Sequence, residues 1–386
     1  PRLASSPSPV SYRRIPTIII MLAGVLIAAC GGSLNQGPTD LTTVLVWVPG
    51  GVPDDLTEAV SAAGGVARTT EVLGGILDLS SSTDAEGAPV DRTADGRTIP
   101  LDTLAYDPAT FEAFTNASTA QTLSALGPGD AVLGATSARL RGIGVGGLLT
   151  LASGDSLTIR AVLDDDAIAA AEVVVSPETA RNLGVGTRRF LLAHVERAPT
   201  EAVELVRSTA ATDEPLRVVS TDGIPWKRHG DQVLPQAIVK DRFGEFSVRP
   251  APNGKLSPDP GWVTANVVTE PVPLLGSVTC HRSIIKLLQQ TLGDLESQGL
   301  GDTVNPKGFA GCYYPRSIEG LPYLSRHSWG IALDLNIVSD DRGRDVAFAP
   351  ELVDAMAQAG FISGADWPLP DPAHFEYVSS SVEPPG

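Results

Sequence analysis

An aspartate stands inside an apolar strand pattern, and this feature limits what the chain can fold into more than any other. From Ile331 to Ile337 the odd-numbered positions are all Ile or Leu, while Asp334 occupies the opposite face. Alternation of this kind is typical of a half-buried β-strand. A carboxylate in the middle of such a strand is costly unless something pairs with it. The fold must therefore place a cation, a hydrogen-bond network or a metal ion beside Asp334.

Two short stretches hold histidines that could meet this need. His327 lies seven residues before Asp334, and His374 lies in a second strand pattern, "DPAHFEYV". On one continuous strand His327 and Asp334 would face opposite sides, but a turn at Trp329 and Gly330 would let them converge. Two imidazoles and one carboxylate are a sufficient ligand set for a catalytic zinc ion with water in the fourth position. The sequence therefore predicts His327, Asp334 and His374 as zinc ligands, with His374 on a neighbouring strand.

Hydrolysis at such a metal also needs a general base and a cation for the developing oxyanion. Asp371, three residues before His374, is the predicted base. Arg316, in "GCYYPRSIEG", is predicted to bind the oxyanion or a substrate carboxylate. Glu376 shares a strand face with His374. It could hydrogen-bond a ligand imidazole or be a plain exposed strand residue, and the sequence leaves both readings open.

These stretches resemble a known family. "SRHSWGIALD", "DPAHFE" and "GCYYPRSIEG" are similar to motifs of the VanY-type D-alanyl-D-alanine carboxypeptidase and L-alanyl-D-glutamate peptidase family, and the resemblance covers about residues 233–386. It implies a zinc peptidase that cleaves peptidoglycan stem peptides. The implied roles are zinc ligands for His327, Asp334 and His374, base for Asp371, and substrate or transition-state arginine for Arg316.

One departure from the family leaves the substrate open. The better-known branches have Glu where this chain has Asp371, and the shorter side chain leaves the exact substrate open. The choice between carboxypeptidase and endopeptidase depends on whether a group closes the groove by gripping a terminal carboxylate, which the sequence does not show. A catalytically inactive cell-wall binder, or a regulatory lipoprotein associated with a transporter, is the alternative function.

The N-terminus has the pattern of an export signal. Arg13 and Arg14 precede the apolar run "IPTIIIMLAGVLIAAC", which is too short for a good membrane-spanning helix. "IAAC" resembles a bacterial lipoprotein signal. The chain is thus predicted to lose residues 1–29 and to be anchored at the outer face of the cell membrane by a lipid on Cys30, with residues 30–40 as a tether. An ordinary signal peptide with a chance cysteine is the alternative.

Strand and helix patterns alternate over residues 41–200 and predict an α+β domain, beginning with "TTVLVWVP" and "PDDLTEAVSAAGGV". Over residues 45–195 the layout resembles the periplasmic domains of MacB/FtsX-type transporters, which implies a docking module with a possible protein partner. The glycines of "RGIGVGG" precede a strand, so they predict a turn and no phosphate loop. His194 and His229 are predicted to be structural or surface residues.

The complete prediction is an α+β chain of two domains. Residues 201–232 are a predicted connector, and residues 233–386 a predicted zinc peptidase domain with a small antiparallel sheet and helices. The net charge of −17 argues against a nucleic-acid partner. Cys280 and Cys312 can form a disulfide in an exported protein, or remain two free buried thiols.

Overall fold

A computed structural model describes residues 41–210, 215–221, 234–337 and 348–379. The predicted signal segment, the anchor Cys30, the tether and His229 lie outside these ranges. Within them, no helix combines the length and the apolar character that crossing a membrane requires.

A ten-stranded sheet dominates the first half of the chain. Its strands are β1 (Thr42–Trp47), β2 (Val66–Thr83), β3 (Pro89–Arg92), β4 (Ile99–Tyr106), β5 (Asp130–Gly134), β6 (Leu148–Leu151), β7 (Ser156–Leu163), β8 (Val173–Val175), β9 (Thr187–Val195) and β10 (Arg217–Ser220). The helices beside it are α1 (Asp54–Ala62), α2 (Pro108–Phe111), α3 (Ala117–Ser124), α4 (Ala135–Arg141), α5 (Pro177–Asn182) and α6 (Pro199–Thr209).

Part of this sheet closes on itself because β2 is 18 residues long. The middle of β2 pairs with β4 and its end with β6, so the order β2-β4-β8-β5-β7-β6 returns to β2 as a barrel-like ring. The pairs β4–β8 and β5–β7 are parallel, and the other neighbours in the ring are antiparallel. The start of β2 pairs with β9, which carries β1 and then β10 as an extension of the sheet.

The sequence boundary at residue 200 does not coincide with the end of this sheet. Residues 201–232 were predicted to be a connector, yet α6 begins at Pro199 and β10 pairs antiparallel with β1. Val206 and Val218 are buried in the same apolar cluster as β1. The start of the predicted connector is therefore packed secondary structure.

The second half of the chain carries smaller sheets. Its strands are β11 (Val248–Pro250), β12 (Leu256–Pro258), β13 (Val267–Val272), β14 (Gly276–His281), β15 (Ala332–Asp334), β16 (Phe361–Gly364) and β17 (Asp371–Tyr377). Its helices are α7 (Gln236–Phe243), α8 (Pro260–Asn266), α9 (Arg282–Ser297) and α10 (Pro350–Gln358). Strands β15, β17 and β16 form an antiparallel sheet in that order. The mixed α+β class and a small antiparallel sheet in this half are confirmed, while the two-domain arrangement stays a prediction.

Helix α9 contributes its apolar face to the core that also contains residues of this sheet. Its buried side chains recur at helical spacing and lie in one cluster with residues of α10, β15 and β17. The apolar residues of α9 in that cluster are Ile284, Ile285, Leu288, Leu292 and Leu295. Helix α9 and the antiparallel sheet thus share one apolar core, and the sheet bears the candidate site.

Candidate metal centre

A short turn places His327 beside the sheet. Residues Arg326–Ser328 form a 3-10 helix, and Gly330 follows it with φ of +69°. A β-carbon at Gly330 would lie 2.6 Å from the backbone nitrogen of His281, so only glycine fits there. The chain therefore turns between His327 and the strand, as the sequence predicted.

Strand pairing brings the other two candidates together. Asp334 on β15 and His374 on β17 are direct partners in the antiparallel register. Directly opposite residues of such a pair project to the same face with their β-carbons close together. His374 therefore comes from the neighbouring strand, as predicted.

The three side chains converge on one point. Asp334 Oδ1 lies 3.2 Å from His327 Nε2 and 3.0 Å from His374 Nδ1. One ligand atom from each residue lies within 4.8 Å of the other two. These distances allow a single ion to be held by all three.

Hydrogen bonding leaves the His327 nitrogen on this side available. His327 Nδ1 lies 2.9 Å from the carbonyl oxygen of Cys312, which places the ring proton on Nδ1 as donor. Within the described ranges, the buried Nε2 of His327 lies 3.2 Å from Asp334 Oδ1 but makes no hydrogen bond of regular geometry. An imidazole fixed by a carbonyl on one nitrogen is the usual state of a metal ligand, so the residues fit a metal ion.

A disulfide anchors the segment that holds His327. Cys280 at the end of β14 is bonded to Cys312, with 5.3 Å between their α-carbons. Because the Cys312 carbonyl fixes His327, the disulfide ties the ligand to β14. Of the two states that the sequence left open for these cysteines, the structure has the bonded one.

Behind His374 lies a buried ion pair. Glu376 is 2 % exposed, so the reading of Glu376 as an exposed strand residue is wrong. Its Oε2 lies 3.8 Å from His374 Nε2, and its Oε1 lies 3.4 Å from Nε of Arg326. A carboxylate that orients a ligand imidazole is common at metal sites. Arg326 was not among the site residues predicted from the sequence. The available signal was its position next to His327, because a buried Glu376 needs a cationic partner.

The electrostatics of the cluster keep Asp334 ionised. Burial alone would raise its pKa, but the two imidazoles outweigh burial and hold the pKa of Asp334 well below its usual range. Burial likewise acts to lower the pKa of His374, yet Asp334 and Glu376 raise it to about 9. A metal ion would therefore have to displace a proton from His374.

Asp371 and Arg316 lie at the edge of this cluster. Asp371 opens β17, and burial raises its pKa. His374 and Arg316 act in the opposite direction on the pKa of the same carboxyl group. The backbone N–H of Arg316 donates to the hydroxyl of Ser328, next to His327, at 3.0 Å. The half-buried Trp367, which the sequence reasoning did not single out, packs on His374 with 5.1 Å between ring centroids.

One histidine of the first half of the chain, His194, falls within the described ranges. His194 on β9 packs on Phe114 with ring centroids 4.0 Å apart. The structure does not bring it into the candidate metal centre.

Comparison with known proteins agrees with the motifs. Residues 319–377 match the family model described as D-alanyl-D-alanine carboxypeptidase. This stretch holds the three candidate ligands and Asp371, while Arg316 precedes it. The C-terminal part of the chain is thus similar to a peptidase. No curated protein matches the chain.

Two solved structures are similar to part of the chain. One is the extracellular domain of the noncanonic ABC-type transporter YknZ from Gram-positive bacteria, with 11% identity, a TM-score of 0.28, and coverage of 46% of this chain and 99% of that chain. The other is the periplasmic region of MacB from Actinobacillus actinomycetemcomitans, with 10% identity, a TM-score of 0.29, and coverage of 47% of this chain and 90% of that chain.

Proposed function

We propose that the protein is a zinc-dependent peptidase that hydrolyses peptidoglycan stem peptides, as a carboxypeptidase or an endopeptidase. One observation carries the proposal. His327, Asp334 and His374 converge within a segment that matches a peptidase family model. Two imidazoles and a carboxylate leave room for water on a zinc ion.

The chain's own residues would perform the proton transfers. A zinc ion held by the three ligands would polarise the scissile carbonyl and lower the pKa of water to about 7. Asp371 would take the proton from the attacking water and pass it to the leaving amine. Its raised pKa suits this role, because a base works best when its pKa lies near the working pH. Arg316 would stabilise the negative charge that develops on the carbonyl oxygen.

The cellular location is part of the proposal. The Cys280–Cys312 disulfide supports an oxidising compartment outside the cytoplasm, where peptidoglycan is also found. The lipid anchor at Cys30 and a protein partner for residues 41–200 stay predictions.

Zinc content and peptide release test this function together. Purified protein is incubated with muropeptides, with and without a chelator, and the products are followed by mass spectrometry. We expect about one zinc per chain and cleavage that stops on chelation. Loss of a terminal D-alanine identifies a carboxypeptidase, and a cut inside the stem identifies an endopeptidase. Bound zinc without any cleavage would favour a cell-wall-binding protein.

Substitutions separate metal binding from catalysis. We expect His327→Ala to abolish zinc binding, and Asp371→Asn to retain zinc but to lower kcat by about 10²-fold or more. Arg316→Ala should retain zinc and lower kcat by a similar factor. Asp294→Asn on the exposed side of α9 is the matched control and should behave as wild type. An active Asp371→Asn enzyme would remove Asp371 as the base.

A further inference from the structure

Two basic side chains stand side by side at the rim of the candidate metal centre. Lys255 and Arg316 form an isolated antiparallel bridge, and the next residue, Leu256, donates its backbone N–H to the Pro315 carbonyl at 2.9 Å. Directly opposite residues of an antiparallel pair project to the same face. Lys255 and Arg316 therefore project from the same face, and the Arg316 backbone N–H is bonded to the hydroxyl of Ser328, next to His327.

An aromatic ring holds the lysine on this face. The Lys255 ammonium lies 4.8 Å from the ring centroid of Tyr314, within the range of a cation–π contact. Tyr314 is 42 % exposed and stands two residues before Arg316. The backbone N–H of Tyr314 donates to the carbonyl oxygen of His327 at 2.9 Å. The patch of Lys255, Tyr314 and Arg316 is thus continuous with the segment that carries a candidate metal ligand.

Within the described ranges, neither Lys255 nor Arg316 lies within ion-pairing distance of a carboxylate, although Arg316 acts electrostatically on Asp371. The protein has 45 acidic and 28 basic residues, so carboxylates are in excess for pairing. Two neighbouring unpaired cations in an acidic protein create a local field that attracts anions.

We propose that Lys255, together with Arg316, forms a subsite for a carboxylate of the substrate, and that the enzyme prefers acidic peptides for this reason. The inference rests on the proposed peptidase function and adds a substrate class to it. Lys255 lies outside the segment that matches the peptidase family model, residues 319–377. The hairpin of β11 and β12 thereby contributes to specificity.

The test uses three versions of one stem peptide and the zinc-loaded full chain. The first version has all its carboxylates, the second is amidated at the C-terminus, and the third is amidated on the side-chain carboxylate. For Lys255→Ala we expect KM for the free peptide to rise about fivefold with kcat unchanged, and for Lys255→Glu about twentyfold. Lys255→Arg should restore most of the wild-type KM.

The amidated peptides identify which carboxylate is bound. The peptide that lacks the relevant carboxylate should already have a high KM with wild type and should be insensitive to Lys255→Ala. Lys286→Ala, at an exposed position on α9, is the control and should not change KM. If wild type cleaves the peptides and the Lys255 variants have the wild-type KM for all three, Lys255 does not form a substrate subsite, and the proposed peptidase function is unaffected. If zinc-loaded wild type cleaves none of them, both proposals fail.

Discussion

At the scale of single residues, Asp334 shows why an apolar strand tolerates a carboxylate. Desolvation disfavours the ionised form, but two imidazoles within about hydrogen-bonding distance more than compensate. Removing either histidine would leave a largely buried charge with one partner. The cost of burying Asp334 is therefore acceptable only because the site assembles as a unit.

Glu376 offers a residue-scale prediction, because it touches His374 without occupying a ligand position. We expect Glu376→Gln to weaken zinc binding about 10–100-fold, since the amide orients His374 and supports its basicity less well. The dissociation constant can be measured by competition with a chromogenic chelator. Glu296→Gln, exposed on α9, is the matched control. A thermal melt in excess zinc checks that the variant is folded, and unchanged zinc affinity in a folded variant would contradict the role.

At the scale of elements, the sequence predicts helices more accurately than it predicts where strands end. The apolar spacing in "CHRSIIKLLQQTLGDLESQGL" predicts an amphipathic helix, and the same apolar side chains form the buried face of α9. The alternation from Ile331 to Ile337 predicted a longer strand than β15, which ends at Asp334. The chain leaves the sheet because Asn336 adopts φ of +57° and bonds both Asn305 and Thr303. Asparagine tolerates this left-handed conformation, but the alternation of apolar residues does not predict it.

The cap of α9 gives an element-scale prediction about pH. His281 is the N-cap, and its Nδ1 accepts from the hydroxyl of Ser283 at 2.7 Å. Burial lowers the pKa of His281 to about 4, so between pH 6.5 and 4 the unfolded chain binds a proton that the folded chain does not. Stability is thus lost as the pH falls through this window, by about 3 kcal/mol for this residue.

His281→Asn tests this because asparagine is a good N-cap that does not titrate. Urea unfolding at pH 7 and pH 4 should show that wild type loses about 3 kcal/mol more than the variant between the two pH values. The other titrating groups are shared by both proteins and cancel in the difference. Equal losses would show that His281 is protonated equally in the folded and unfolded states.

At the scale of the whole molecule, a buried charge cluster joins the two halves of the chain. Lys240 on α7 is 1 % exposed, and its ammonium lies 2.7 Å from Glu172 and 2.8 Å from Glu245. Arg141 at the end of α4 also contacts Glu172 and Glu245. Gln236 completes the contact by donating to Glu172 at 2.7 Å. Charged residues thus bind α7 to the ten-stranded sheet.

The sequence could not predict this junction. The local motifs around His327 and His374 predicted their convergence, because turn chemistry and strand pairing are short-range properties. Lys240 and Glu172 are 68 positions apart, and nothing near either residue indicates its partner. On sequence alone, Lys240 reads as an exposed residue of a helix. The place of β10 is hidden in the sequence for the same reason, since β10 joins the sheet through pairing with the distant β1.

Lys240→Met tests whether this cluster holds the two halves together. The substitution replaces the lysine by an unbranched apolar side chain one atom shorter, and it leaves Glu172 and Glu245 with Arg141 as their remaining buried cation. Breaking a buried ion pair by removing one partner costs about 3–5 kcal/mol, so we expect a loss of this size in urea unfolding. Lys286→Met on the exposed side of α9 should change stability by less than about 0.5 kcal/mol. The double variant Lys240→Met/Glu172→Gln should recover part of the lost stability, because it also removes the Glu172 carboxylate charge that loses Lys240 as its partner in the single variant. A Lys240→Met protein within about 1 kcal/mol of wild type would mean that apolar packing around α7 carries the junction and that the charges are incidental to it.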